Sequence, residues 1–321
     1  MKLSQSSIVT RTLFLCVMLI ALSSCKKQTA ETKNSEVTAD TSKVFFQLSL
    51  AQWSLHNAII NEKTLDPLDF AQKANELGFE GIEYVSGLYN EKLKTMGMEA
   101  LQDSLKAKST TYGVKNVLIM VDGEGNLASS DEKERNQAII NHKKWIDAAA
   151  YLGCHAVRVN LNGATEKDAW IEASVKGLGD LAKYGATKNI NVIVENHGGF
   201  SSNAAMLSDV MTKINMSNCG TLPDFGNFCI TREEGKCVDL YDYYKGTEIL
   251  MKHAKAVSAK SYDFDAEGNE TTLDYPRLLQ IVKDAGYTGF IGVEYEGTRL
   301  SEEDGILATK KLLLNAAKQL N

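Results

Sequence analysis

The stretch INVIVENHGG at residues 190–199 is apolar apart from Asn191 up to Val194, reaches Glu195, then turns polar through Asn196 and His197 into Gly198 and Gly199. A short run rich in Val and Ile, bounded by glycine, reads as a strand with both faces buried. A glutamate closing such a strand is costly unless a cation, a metal or a substrate hydroxyl meets it. The same pattern recurs along the chain. Strands are predicted at 44–53, 81–85, 114–121, 155–160, 190–195, 219–224, 255–262 and 289–295. Between them lie helical segments: Asp66-Pro67 starts one, and Gly78, Gly113, Gly153 and Gly286 stop others. Leu278, Ile281, Val282 and Ala285 recur at three- and four-residue spacings, as a helix packed on a sheet requires.

Eight such strand–helix units predict one α/β domain, a (β/α)8 barrel over residues 43–321; a doubly wound open sheet is the alternative. In a barrel the chemistry sits at the strand C-terminal ends and the loops that follow. The polar residues fall there: Trp53 and His56 after strand one, Glu83 in strand two, Arg158 and Asn160 in strand four, and Glu195 and His197 at strand five. Asp224, Lys260 and Glu294 end strands six, seven and eight. Side chains alternate along a strand, so Glu195 and His197 are expected on one face, as are Ser258, Lys260 and Tyr262, and Glu294 and Glu296.

The first 25 residues carry Lys2 and Arg11, an apolar run from Leu13 to Leu22, and then Ser23-Ser24-Cys25. The run is short for a permanent span and has the flanks of an export signal. Leu22-Ser23-Ser24-Cys25 also resembles a bacterial lipobox. The reading is a lipoprotein signal peptide over 1–25 ending at a lipidated Cys25, and a disordered tether over 26–42. This places the domain in the bacterial cell envelope, held to the membrane by lipid alone. Cys229 and Cys237 are expected either to pair there or to remain buried thiols. With 41 acidic against 35 basic residues and no dense basic run, nucleic acid is an unsuitable partner.

VIVENHGG at 192–199, LPDFGNF at 222–228, GVEYEG at 292–297 and QWSLHNA at 52–58 resemble the xylose isomerase-like superfamily of sugar isomerases and epimerases. The resemblance covers nearly all of residues 44–320. It implies one divalent metal held by Glu195, Asp224 and Glu294, with Glu195 and Glu294 also transferring protons. The family's strand-seven histidine is absent, since its His-x-Lys segment is Ser258-Ala259-Lys260 here. A second histidine, after the strand-six aspartate, is replaced by Asn227.

Three carboxylates suit a hard cation, Mn2+ or Mg2+, with His197, Asn227 or water completing the shell. Alternatively the Lys260 ammonium supplies the positive charge. His197 is expected to bind substrate or orient a neighbour rather than ligate. Trp53, His56, Glu83, Arg158, Asn160 and Asn227 are the other expected substrate contacts; Glu83 also has a purely intra-barrel reading. Arg158 orients a hydroxyl or neutralises the carboxylates. His142 and His155 look structural, and His253 lies at the wrong end of strand seven.

Such a site can remove a proton beside a carbonyl and stabilise the enediolate, the step shared by aldose–ketose isomerases and epimerases. The expected substrate is a small unphosphorylated carbohydrate, since no phosphate-binding glycine loop is evident. A 3-keto-glycoside lyase would use the same abstraction. A non-catalytic carbohydrate-binding lipoprotein is a third reading, motivated by the missing histidines and by Trp53, Tyr84, Phe225, Phe228 and Tyr262. Phosphodiester cleavage by a multi-zinc cluster is disfavoured by five mostly misplaced histidines.

Overall fold

Apolar runs buried on both faces pair as eight parallel strands, each delivered to its neighbour by a helix. The computed structural model describes residues 44–320; the predicted signal peptide, Cys25 and the tether lie outside the described residues. The first half runs β1 (Gln47–Ala51), α1 (His56–Ile60), α2 (Phe70–Glu76), β2 (Gly81–Val85), α3 (Asn90–Tyr112), β3 (Lys115–Val121), α4 (Glu132–Leu152) and β4 (Ala156–Val159). The second half runs α5 (Lys167–Thr187), β5 (Asn191–Glu195), α6 (Ala204–Ile214), β6 (Cys219–Leu222), β7 (Cys229–Glu233), β8 (Lys236–Leu240) and α7 (Tyr243–Met251). It ends with β9 (Val257–Ser261), α8 (Tyr275–Asp284), β10 (Phe290–Tyr295) and α9 (Glu302–Gln319).

The sheet order is β6-β5-β4-β3-β2-β1-β10-β9, all parallel. Its two ends meet: Thr221 N donates to His253 O at 3.0 Å, Ser258 N to Pro223 O at 2.9 Å and Phe225 N to Ser258 O at 3.1 Å. The sheet therefore closes into the expected barrel, and the open doubly wound alternative fails. The first strand is shorter than the expected 44–53 because Gln52–Leu55 winds into a 3-10 turn. Helix boundaries follow local chemistry. Asp131 caps α4 by accepting from Lys133 N and Glu134 N, and Gly153 ends it at φ 80°, a conformation that burdens any residue with a Cβ.

Outward-facing Leu50, Ile82, Ile119, Val157, Val192, Val257 and Ile291 are buried under the helices. Each contributes about 1.5–3 kcal/mol of burial. Within the barrel, Ala51, Leu118, Met120, Ala156, Ile193, Leu222 and Ala256 form a separate apolar cluster. No helix among the described residues is long and apolar enough to cross a membrane.

The β7–β8 hairpin is an addition that sequence patterning did not reveal. It is antiparallel, and a Cys229–Cys237 disulfide joins its two strands. Of the two outcomes open for these cysteines, pairing is the one formed.

Candidate active site

Alternation along three strands aims the site. Ile193 lines the barrel interior, so Glu195 two residues on does too; the same spacing turns Ser258 and Lys260 inward on β9, and Gly292 and Glu294 on β10. Asp224 lies just past β6, where Asn196 fixes its backbone: Asn196 Oδ1 accepts from Asp224 N at 2.8 Å, and Asn196 Nδ2 donates to Asp224 O at 2.9 Å. Space is reserved by glycine. A Cβ on Gly226 would stand 2.8 Å from Lys260 Cγ, and one on Gly292 would stand 2.6 Å from Glu83 Oε1.

Glu195, Asp224 and Glu294 are all buried, and each offers an oxygen within 4.8 Å of the others. Around them sit two buried cations. Arg158 donates from Nη1 to Asp122 Oδ1 at 2.7 Å and brings Nε to 2.9 Å from Glu195 Oε2, an ion pair without hydrogen-bond alignment. Lys260 Nζ lies 3.0 Å from Glu294 Oε1, 2.9 Å from Glu296 Oε1 and 3.9 Å from Asp224 Oδ2. Asn227 Nδ2 donates to Glu195 Oε1 at 2.8 Å. Ser258 Oγ contacts Asp224 Oδ2 at 2.6 Å and Glu294 Oε2 at 3.0 Å.

Charge is unevenly compensated. Burial, reinforced by Glu195 and Glu294, pushes the Asp224 carboxyl well above its ordinary range despite Lys260. Burial would raise Glu294 as well, but the Lys260 ion pair outweighs it and holds Glu294 low. Burial likewise opposes ionisation of Asp122, which Arg158 nevertheless keeps below the usual range. Glu83 lies deeper. Burial pushes it up to about 8, although Ser49 Oγ donates to its Oε1 at 2.6 Å; its Oε2 has no partner.

The structure thus brings Glu195, Asp224, Glu294, Lys260, Arg158 and Asn227 into one cluster. Asn160 joins through Asp122, to which its Nδ2 donates at 2.7 Å, while its buried Oδ1 is unpaired. His197 is exposed at the mouth, because β5 ends at Glu195 and strand alternation stops short of it. Trp53 and His56 stack with ring centroids 4.6 Å apart, and His56 Nδ1 lies 2.7 Å from Trp53 O. His56 also lines a 940 Å³ cleft that reaches Glu296. Of the five aromatics considered for sugar stacking, Tyr84, Phe225 and Phe228 are core residues, whereas Trp53 and Tyr262 stay half-buried.

His142 is buried against Ala138 O, and His253 bonds Ser208 away from the site. Sequence reasoning missed Asp122, which follows β3 where the strand-end rule would have found it. It also missed the meeting of Glu296 with Lys260.

The donor set is all oxygen, carries surplus negative charge, and leaves Glu195 Oε2 without an aligned donor. These features fit a hard divalent cation.

Comparison with known proteins agrees with this frame. A C-glycoside deglycosidase alpha subunit from Arthrobacter globiformis is 41% identical over 65 residues, spanning only 19% of this chain and 18% of that protein. Among solved structures, a 3-keto-D-glucoside 4-epimerase from E. coli matches with a TM-score of 0.64 at 14% identity, covering 84% of this chain and 99% of the other. A xylose isomerase-like TIM barrel protein from Mycobacterium smegmatis in complex with magnesium matches at 0.60 and 14% identity, over 85% and 97%. At these identities the structural likeness is one of fold. The sequence model described as xylose isomerase-like TIM barrel matches residues 71–316, and the chain belongs to that family.

Proposed function

We propose that this protein is a sugar isomerase or epimerase that moves a proton at a carbon next to a carbonyl. The observation carrying this reading is the pairing of two buried carboxylates, Glu195 and Glu294, each with a buried cation beside it, Arg158 and Lys260. One carboxylate takes the carbon-bound proton; the other, in its acid form, returns a proton to the enediolate at the neighbouring carbon or on the opposite face. Arg158 and Asn227 hold Glu195 in place from its two oxygens. Lys260 places positive charge where the enediolate oxygen develops. Glu195, Asp224 and Glu294 would hold a divalent cation, Mn2+ or Mg2+, which when bound supplies further charge for that oxygen.

Asn160 Oδ1, buried and unpaired, is a natural acceptor for a sugar hydroxyl, and Glu83 Oε2, which carries the acid proton while Oε1 accepts from Ser49, is a donor, with Trp53, His56 and His197 bordering the mouth. The test is incubation with free ketoses and with 3-keto-glucosides in D2O, following deuterium entry and stereochemistry by NMR. Turnover undiminished in Glu195→Gln would remove this residue as the base.

The partial likeness to a C-glycoside deglycosidase subunit favours a second reading. There the same abstraction gives an enolate that expels the group on the adjacent carbon, protonated as it leaves. Aglycone release in the same incubation separates the two.

We also place the protein at the cell envelope, tethered through lipid on Cys25. The apolar run 13–22 and Leu22-Ser23-Ser24-Cys25 support this, as does the Cys229–Cys237 disulfide. Labelled palmitate entering the wild type and equally the Cys25→Ser variant would refute it.

A further inference from the structure

Lys260 occupies an unusual position: its ammonium sits 3.0 Å from one oxygen of the carboxylate triad and 3.9 Å from another, with only about 1% of the residue exposed. A divalent cation and this ammonium would compete for the same negative charge. Among the described residues, Glu296 is the one carboxylate partner of Lys260 outside the triad, at 2.9 Å, with its side chain 28% exposed. The Lys260 stem passes close to Gly226, where a Cβ would stand 2.8 Å from its Cγ, and its ammonium lies against Glu294 and Glu296 at once.

Resting on the reading that the triad takes a divalent cation, we propose that Lys260 is a built-in competitor for that cation and that Glu296 is the positioning residue that draws the ammonium off. The neutral Ser258 hydroxyl already bridges Asp224 and Glu294, so β9 contributes a hydrogen bond rather than a strong fourth ligand. Cation binding in this protein is therefore weak and exchangeable, and its strength is set by where the ammonium rests. A dication and an ammonium a few ångströms apart repel by an amount worth more than about a factor of ten in affinity.

The test uses EDTA-treated full-length protein titrated with Mn2+, followed by calorimetry and by the electron paramagnetic resonance signal of free Mn2+. Lys260→Met is expected to bind Mn2+ at least about tenfold more tightly than wild type. Glu296→Gln, at a partly exposed position, is expected to bind about fivefold more weakly. In the double variant the Glu296→Gln effect should disappear, because Glu296 acts through Lys260. A Glu296→Gln effect of equal size in both backgrounds would instead be plain loss of a nearby negative charge and would overturn the proposal. So would unchanged or weaker binding in Lys260→Met. If Lys260→Met does not fold, Lys260→Gln, which keeps a polar end group, takes its place in the single and double variants, with the same outcomes supporting or overturning the proposal. Absence of Mn2+ binding in every protein, wild type included, overturns it together with the metal reading. Turnover assays without added metal then judge the proton-transfer reading separately.

Discussion

Asp224 Oδ2 and Ser258 Oγ stand 2.6 Å apart, while the same hydroxyl lies 3.0 Å from Glu294 Oε2. A hydroxyl has one proton and can donate to only one of two carboxylates. Asp224 Oδ1 already accepts from Gly226 N and Asn227 N, so Oδ2 is where a proton would reside, in line with the raised Asp224 and lowered Glu294. Ser258→Ala removes the bridge and leaves two buried acids facing each other. We expect a loss of about 1–3 kcal/mol in urea unfolding near neutral pH, and a similar loss at pH 5.5, because the raised Asp224 keeps its proton and the lowered Glu294 stays ionised at both. A loss that changes markedly between these two pH values would contradict a proton held along this line.

Arg158 joins two carboxylates that no other buried cation reaches among the described residues, Asp122 through Nη1 and Glu195 through Nε. Truncating it leaves Glu195 buried and unpaired, a change that typically costs about 3–5 kcal/mol. Arg158→Met should show a loss of that order by chemical unfolding. Arg158→Lys should recover only part of it, since a single ammonium cannot reproduce the forked geometry. Full recovery by lysine would mean that charge alone matters at this position.

Much of this arrangement is written in local sequence. Parallel strands with both faces buried appear as continuous apolar runs, so all eight barrel strands stand out, and the acids ending β5 and β10 interrupt those runs visibly. The hairpin Cys229–Leu240 does not stand out because most of it is exposed and charged, with no buried face to impose a pattern. Its one local signal is Glu234-Gly235, both at positive φ as a tight hairpin turn demands. The link between Lys260 and Glu296 is half legible: alternation puts Glu296 on the face of Glu294, as found, but which neighbour on the adjacent strand it meets depends on the register between β10 and β9, which the sequence does not show.

Glu83 gives the chain a definite pH response. Its folded pKa, near 8, is above the ordinary 4.5, so the unfolded chain loses the proton first as pH rises. The folded state then holds more protons, and stability falls through the window from about 4.5 to 8. Urea midpoints of wild type should drop between pH 5 and pH 9 by more than those of Glu83→Gln, which keeps a neutral side chain throughout. Parallel pH dependence in the two proteins would show that Glu83 ionises freely in the barrel.

The Cys229–Cys237 bridge closes a loop with a sequence separation of 8, for which chain entropy predicts about 2.5 kcal/mol of stabilisation. Residues 231–240 are mostly exposed, so that contribution is local to the hairpin rather than shared with the barrel. The barrel side of the insertion is anchored separately: Ser202 Oγ and Asn196 Nδ2 both donate to Asn227 O, at 2.7 and 3.1 Å, and hold the residue that contacts Glu195. Replacing both cysteines by serine should therefore speed tryptic cleavage at Arg232 and Lys236 several-fold while leaving the global unfolding midpoint nearly unchanged. A midpoint that falls together with the gain in cleavage would mean that the hairpin unfolds cooperatively with the barrel, and that the disulfide stabilises the site itself.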